Sequence, residues 1–435
     1  MSDGPTDAVP DPSSTPPSGR LDRRYWHLWG AVASSNLGDG LVSLAFPWLA
    51  SLLTRDPVAI SGVALATRLP WLVFSLHAGA LTDRFDRRRL MVVANSIRAV
   101  VALGMTIAVL QDAAGLPVLY LAAFALGMCE VVFDNTSQAL LPALVPRERL
   151  ERANGTIMGA QMVIADFVAR PISGALVGIA LSLPFAIDAA TAAVSAALIA
   201  TIPGGVRVER TTAAPRVPTH TRIAEGLRWL WAHRLLRTLA LTLGVMNGLA
   251  AATMATFVLF AQEILQLDGL GFGLLLATGS VGGLLGSLLA PNVTARIGPG
   301  PSLFTTIAVP VVSFSDTAAT SNAVVAGVAL AAFTFTAIVW NVVTVSLRQT
   351  LIPDELLGRV NSVYRFFGWG AMPIGTLLGG GLVSLVANGA TRELGLRAPF
   401  IAGALIHLAL LATVSRRLTT DAVTEARARA ADDQR

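Results

Sequence analysis

The sequence predicts an all-α integral membrane protein: twelve transmembrane helices, arranged as two six-helix parallel repeats around a central cavity. Three observations carry that expectation. First, 54% of the 435 residues are apolar and only 14% charged, where a soluble chain carries roughly 25% charged residues; mean hydropathy is +0.64. A soluble chain of this length divides into about three domains, each needing a charged shell. This composition cannot supply those shells, which excludes a multi-domain soluble enzyme. Second, long apolar runs recur along the chain, and a helical span needs about 20 such residues. Third, short segments repeat at a nearly constant offset.

Residues 1–24 are rich in Pro, Ser and Asp and read as a disordered cytoplasmic tail. No short apolar segment with a cleavage site precedes the first long run, so no cleaved signal peptide is expected. The spans are placed near 26–53, 58–81, 89–110, 117–141, 155–181 and 183–202 in a first half, residues 25–203. A second half, 236–415, holds spans near 236–262, 270–292, 300–316, 322–346, 360–387 and 397–415. Between them, 204–235 is a cytoplasmic linker. Ile223, Leu227, Leu230, Trp231 and Leu235 follow helical spacing there, flanked by Arg222, Arg228 and Arg234. That pattern suits an amphipathic helix on the inner leaflet, and equally one packed on the cytoplasmic ends of the bundle. Residues 416–435 are polar and read as a second cytoplasmic tail.

The repeat is visible in VPRERLERAN at 145–154 against IPDELLGRVN at 352–361. Pro146, Glu148, Arg152 and Asn154 recur as Pro353, Glu355, Arg359 and Asn361. Leu65-Ala66-Thr67 recurs as Leu276-Ala277-Thr278, and Asn36 and Phe46 as Asn247 and Phe257. An offset equal to six helices puts the two halves in the same orientation, as parallel repeats.

All 32 basic residues are arginines. With the N-terminus inside, 26 of them fall on the cytoplasmic side and only Arg55, Arg392 and Arg397 outside. That split orients both termini to the cytoplasm by the positive-inside rule. It also explains the basic balance without a nucleic-acid partner. The single cysteine, Cys129, allows no intrachain disulfide.

GALTDRFDRRR at 79–89 joins the second and third spans. It resembles the signature loop of the major facilitator superfamily, G-x-x-x-D-R-x-G-R-[RK]. Gly79, Asp83, Arg84, Arg87 and Arg88 match, and Asp86 stands where that loop has glycine. The equivalent loop of the second half keeps Arg296 and Gly298 and lacks the acid. The resemblance covers residues 26–415. PALVPRERLERAN and GRVNSVYRFFGWGAMPIGTLLGG look like the twelve-helix drug:proton antiporter group, which includes enterobactin and macrolide exporters. The resemblance implies a cytoplasmic gate in which Asp83, at a helix end, meets the eleventh span near Arg359–Asn361. Such a contact latches the outward-facing state. Asp134 is assigned to the same gate, paired with an arginine of the 84–89 loop.

Ionisable residues at mid-bilayer cost at least ~2.5–3.5 kcal/mol each, and here they concentrate in the first half. Asp39, in SSNLGDG, and Glu130 are the candidates for proton coupling, with Arg98 as counter-ion. Burial favours their neutral forms, and Asp134, four residues from Glu130 and of like sign, adds repulsion there. Asp166 and Arg170 are four residues apart and read as a structural ion pair; ARPISGALVG partly resembles the antiporter motif of the fifth span through Pro171 and Gly174. Asn36, Arg68, Asn247, Trp340, Asn341 and Trp369 are assigned to the substrate cavity, with Arg68 an alternative partner for Asp39. Asp188 is placed in the outer third of the sixth span, facing a vestibule. His77 and His407 read as packed or interfacial.

No Walker A loop and no metal-ligand spacing is present, so no catalytic residue, metal or cofactor is expected. The expected function is export of a hydrophobic or amphipathic small molecule by proton antiport with alternating access. The alternatives are a lipid or lysophospholipid carrier, a proton-coupled nutrient symporter or, from a different class, a non-transporting membrane sensor. The expected partners are the small-molecule substrate, protons and membrane lipids. The expected state is a monomer in a bacterial cytoplasmic membrane.

Overall fold

A computed structural model describes residues 22–146, 149–203 and 219–433. Residues 1–21 of the expected N-terminal tail and 204–218 of the linker lie outside that range. Sixteen α-helices follow in order among the described residues. The first half comprises α1 (Arg23–Leu53), α2 (Pro57–Arg84), α3 (Arg87–Leu110), α4 (Leu116–Leu144), α5 (Leu150–Gln161), α6 (Arg170–Ile179) and α7 (Leu183–Ala200). A π-helical stretch, Met162–Ala169, joins α5 and α6 into one span. Then come α8 (Thr219–Ala232), α9 (Arg234–Ala255), α10 (Phe257–Glu263), α11 (Gly269–Ile297), α12 (Pro299–Ala319), α13 (Ala323–Leu351), α14 (Asp354–Gly389), α15 (Arg392–Val414) and α16 (Thr420–Asp433).

Eleven spans among the described residues are long and apolar enough to cross a membrane. Helix α1 is the twelfth; Ser34, Ser35, Asn36 and Asp39 break its apolar run. Local chemistry sets the ends. Asp56 accepts from the Val58 amide at 2.9 Å with Pro57 at the first turn of α2. Asn322 accepts from Val324 at 2.8 Å to open α13, and Thr391 from Leu394 at 3.1 Å to open α15. Asp86 caps α3 through the Arg89 amide at 2.9 Å. The departure from the signature glycine therefore buries no cost: the carboxylate satisfies an amide that the helix leaves open.

The repeat is expressed in the packing. Pairings α2–α4, α3–α4, α3–α7 and α1–α7 in the first half recur as α11–α13, α12–α13, α12–α15 and α9–α15 in the second. Across the halves, α2 packs on α14 and α6 on α11. We call the end of the bundle holding Arg55 and Arg392 the Arg55 face, and the end holding α8 the linker face.

Three stretches differ from expectation. The seventh span is not one helix: it breaks at Thr256 between α9 and α10, and Phe257 to Ala261 are then buried as a plug at the Arg55 face. The fifth span carries the π-helical insertion. The second tail is not an unpacked stretch, for α16 buries Val423, and Leu418 before it, in the core of the second half. Helix α8 is present and packed: Leu230 is buried, and Arg359 Nη1 of α14 pairs with Glu225 Oε2 at 2.6 Å. Its Ile223, Leu227 and Trp231 remain exposed.

Candidate functional site

The polar centre of the first half is built on α3. Arg98 sits at the middle of that helix and is 1% exposed. Its Nε and Nη2 donate to Asp188 Oδ1 of α7 at 2.9 and 2.5 Å. Its Nη1 is ion-paired with Asp39 of α1, and also reaches Ser35 Oγ at 3.4 Å. One guanidinium thus ties three helices together through two carboxylates. Gly38 makes the room: a Cβ there would lie 2.1 Å from Asp188 Oδ1 and 2.9 Å from Arg98 Nη2. One turn below on α3, Asn95 Nδ2 donates to Ser195 Oγ at 2.6 Å, and Ser195 donates to the Ala31 carbonyl.

The sequence reading placed Asp188 in an outer vestibule. The structure corrects this: its side chain is 0% exposed and carries two of the three charged contacts of Arg98. Counting rise along the helices misses the reach of an arginine side chain, which carries its charge well away from its own Cα. Oδ2 of Asp188 is buried with no hydrogen-bond partner among the described residues.

Glu130 of α4 does not touch Arg98. Its Oε1 accepts from Trp71 Nε1 of α2 at 3.3 Å, within electrostatic reach of Asp39, Arg98 and Asp134. Arg68 of α2 is exposed and lies in the field of Glu130 and Arg170, not against Asp39. Arg170 Nη1 and Asp166 Oδ1 pair at 2.9 Å.

Other assigned residues scatter. Asn36 turns its amide back to the Val32 carbonyl at 2.8 Å. Asn247 donates to the Gly368 carbonyl at 2.9 Å, bridging α9 to α14 rather than facing a ligand. Trp340 is 2% exposed, so it packs in the core and lines no cavity. Asn341 is exposed, and Trp369 is 53% exposed with Arg365 stacked on its ring. His407 is buried against Phe314, and His77 is exposed.

At the linker face, the side chain of Asp83 and the surroundings of Gly79 lie outside the described residues. Asp134 forms no ion pair with the 84–89 arginines among the described residues. Arg87 instead donates to the Ala139 carbonyl at 2.7 Å, Arg88 donates to the Ala200 carbonyl, and Arg84 lies over the Phe85 ring. Backbone carbonyls of α4 and α7 thus answer Arg87 and Arg88 where a carboxylate partner was expected.

Sequence reasoning missed two groups. Arg348 of α13 stacks on Tyr364 at 4.1 Å and donates to Asn361 at 2.8 Å; the repeat had flagged Asn361 without a partner. At the Arg55 face, polar contacts join the halves. Arg55 Nη1 donates to Gln262 Oε1 at 2.5 Å, Gln262 donates to Ser51 at 2.8 Å, and Arg392 donates to the Arg55 carbonyl at 2.8 Å. Arg392 also holds Glu263 by two nitrogens, each at 3.0 Å. Arg55, Arg392 and Arg397, the three arginines set apart from the cytoplasmic majority, were the available signal.

Below this clasp, α2 and α14 meet at Gly380, where a Cβ would lie 2.3 Å from Ser61 Oγ. About three and four turns further along, the same faces carry exposed Leu72 on α2 and exposed Trp369 and Phe366 on α14. The two helices therefore diverge toward the linker face and leave a cleft between the halves.

Residues 28–376 match the Major Facilitator Superfamily. Over 398 residues the chain is 30% identical to the multidrug efflux pump Tap of Mycobacterium tuberculosis, covering 86% of this chain and 88% of that protein. It is 24% identical over 395 residues to the enterobactin exporter EntS of Escherichia coli, covering 88% and 91%. An uncharacterised MFS-type transporter of M. tuberculosis is 29% identical over 313 residues, and there the match spans 63% of this chain and 66% of that relative. Among solved structures, the nucleoside transporter NupG superposes with a TM-score of 0.65 at 13% identity, covering 89% and 99% of the two chains. A bacterial homologue of the iron transporter ferroportin in an inward-facing state gives 0.67 at 17% identity, covering 90% and 100%. Twelve spans in two matching halves, a cleft between them and a family match over most of the length lead to one conclusion: this chain belongs to the major facilitator superfamily of membrane transporters.

Proposed function

We propose that this transporter exports an amphipathic small molecule in exchange for protons, by alternating access, with the linker face and both termini in the cytoplasm of a bacterial cell. The observation that carries the coupling is the buried Arg98 held between Asp39 and Asp188. An arginine does not lose its proton in a protein, so only the carboxylates can change charge there. A buried carboxylate is costly unless it is paired or protonated. A proton taken from outside onto Asp39 would neutralise one partner and release Arg98 from α1. A substrate arriving from the cytoplasm finds the carboxylate ionised again once the proton has left inward. The two loads then occupy the carrier in alternation, which is antiport. Glu130, in the field of the same groups, is the second acid of this cycle.

The clasp at the Arg55 face and the cleft at the other end describe one of the two states, open to the cytoplasm in this orientation. The opposite state requires the clasp to part and the linker ends of α2 and α14 to meet, which is the role we assign to the Gly79–Arg88 loop.

Purified Asp39→Asn and Glu130→Gln proteins in proteoliposomes test the reading. Proton-driven accumulation is expected to be lost while downhill counterflow is partly retained. Uphill accumulation retained by both variants overturns it.

A further inference from the structure

We propose that Arg68 and Glu130 form a two-point site for a zwitterionic amphiphile, whose anionic group binds Arg68, whose cationic group binds Glu130 and whose apolar body lies on Trp369. The proposal rests on the efflux reading above, which makes this cleft the substrate's route.

The first observation is a pair of opposite charges kept apart. Arg68 and Glu130 feel one another, yet no hydrogen bond or ion pair holds the Arg68 guanidinium among the described residues. Their helices cannot simply close up. A Cβ on Gly127 of α4 would lie 2.6 Å from the Thr67 carbonyl of α2, so the backbones are already in contact beside the pair. Trp71 Nε1 fixes one oxygen of Glu130 at 3.3 Å and leaves Oε2 open.

The second observation is where Arg68 points. Ser61 of α2 lies against Gly380 of α14. The helices are antiparallel with equal rise, so Arg68 is level with Pro373, and Leu72 with Trp369. Ser61, Arg68 and Leu72 are seven and four residues apart and share one stripe; Gly380, Pro373, Trp369 and Phe366 share the facing one. Arg68 is exposed while the charges of α4 and α6 surround it. It therefore opens into the cleft, opposite an aromatic wall in which Trp369 is 53% and Phe366 65% exposed.

The third observation is the state of the other charges. Arg98 is held by Asp39 and Asp188, and Arg170 by Asp166. Arg68 alone of these guanidinia has no carboxylate within bonding distance, and it cannot deprotonate to escape the cost. A ligand anion supplies what the chain does not. A bare anion would leave the open oxygen of Glu130 unanswered, and a bare cation would leave Arg68 unanswered; a zwitterion answers both.

The test uses three dyes on one xanthene scaffold: rhodamine B, which is zwitterionic, its cationic ethyl ester and anionic fluorescein. Fluorescence polarisation on the purified full-length protein gives their affinities. Rhodamine B should bind about tenfold tighter than either relative, the worth of one charge-assisted contact. Arg68→Gln should bring rhodamine B down to the level of its ester, and Glu130→Gln down to the level of fluorescein. Arg68→Lys should keep most of the preference, and a melting curve on each variant checks folding. The proposal is overturned if the ester binds best and ignores Arg68→Gln, if fluorescein binds best, or if no dye binds saturably. Rhodamine B flux in proteoliposomes separates this from the efflux reading. Charge preference without proton-driven flux defeats the efflux reading and keeps the site; proton-driven flux without charge preference does the reverse.

Discussion

Replacing Asp188 by asparagine removes one of the two carboxylates that hold Arg98. The side chain is fully buried and receives two of the guanidinium's nitrogens. Breaking a buried ion pair by removing one partner costs about 3–5 kcal/mol. Asparagine keeps one acceptor oxygen, and Asp39 keeps its own bond, so the loss should fall near the lower end, about 3 kcal/mol. For a unit the size of the first half, one kcal/mol moves the midpoint by about 2–4 °C, so Tm should drop by about 6–12 °C. The assay is thermal unfolding of the purified protein in detergent, followed by intrinsic fluorescence. The triple variant Asp39→Asn, Arg98→Met, Asp188→Asn should regain most of that loss, because a neutral, packed replacement leaves no charge stranded. It should not regain proton-driven transport. A single Asp188→Asn protein that melts within about 2 °C of wild type would refute the reasoning, since it would mean that the pair contributes little to the packing of α1, α3 and α7.

Three further outcomes are expected. Gly38→Ala should destabilise by more than about 2 kcal/mol, because its methyl falls 2.1 Å from Asp188 Oδ1 in a packed interior; reduced yield and Tm of the purified variant read this out. Arg392→Ala removes the donor to the Arg55 carbonyl, and at this partly exposed site the contact is worth about 1 kcal/mol. In a Cys129→Ser background, labelling of Trp369→Cys from the linker face should fall as the clasp parts, the equilibrium constant shifting about fivefold; unchanged labelling counts against the clasp. Asp86→Ala should cost about 1 kcal/mol through loss of the α3 cap, and Asp86→Gly only a few tenths, measured by chemical or thermal unfolding.

The spans were legible because their signal is composition over long windows. Even the ninth, short and interrupted by Pro310 near its middle, is a continuous helix of 21 residues, since a proline inside a membrane helix is tolerated when neighbours re-satisfy the freed carbonyl. The pairing of Asp39 with Arg98 was legible for a related reason: charges are so costly at that depth that they must find each other. Asp188 was not, because burial partners depend on tilt and side-chain reach, neither of which periodicity reports. The break at Thr256 and the π-helical stretch before Arg170 were also silent. Both are local departures in backbone hydrogen bonding; no glycine or proline marks Thr256, and the π-helical stretch has only Pro171 just beyond it, whose missing N–H leaves the Phe167 carbonyl without its i+4 donor. The packing of α16 was not legible in its polar composition, which hides Val423 and Ala426, and Leu418 just before it, against the core of the second half.

The contact of Gly380 with Ser61 has a mechanical meaning. It is an approach of α2 and α14 too close for a Cβ and lies near one end of both, so it can serve as a fulcrum. The arm from Ser61 to the Asp83 end of α2 is 22 residues, or about 33 Å. A tilt of about 10° around that point would sweep the far tip by about 6 Å, while Arg68, a third of the way along the arm, would shift by only about 2 Å. Large opening at the mouth and small disturbance at the charged centre follow from the same rotation. A bulkier residue at position 380 would lift the pivot and change the stroke without touching a single charged group.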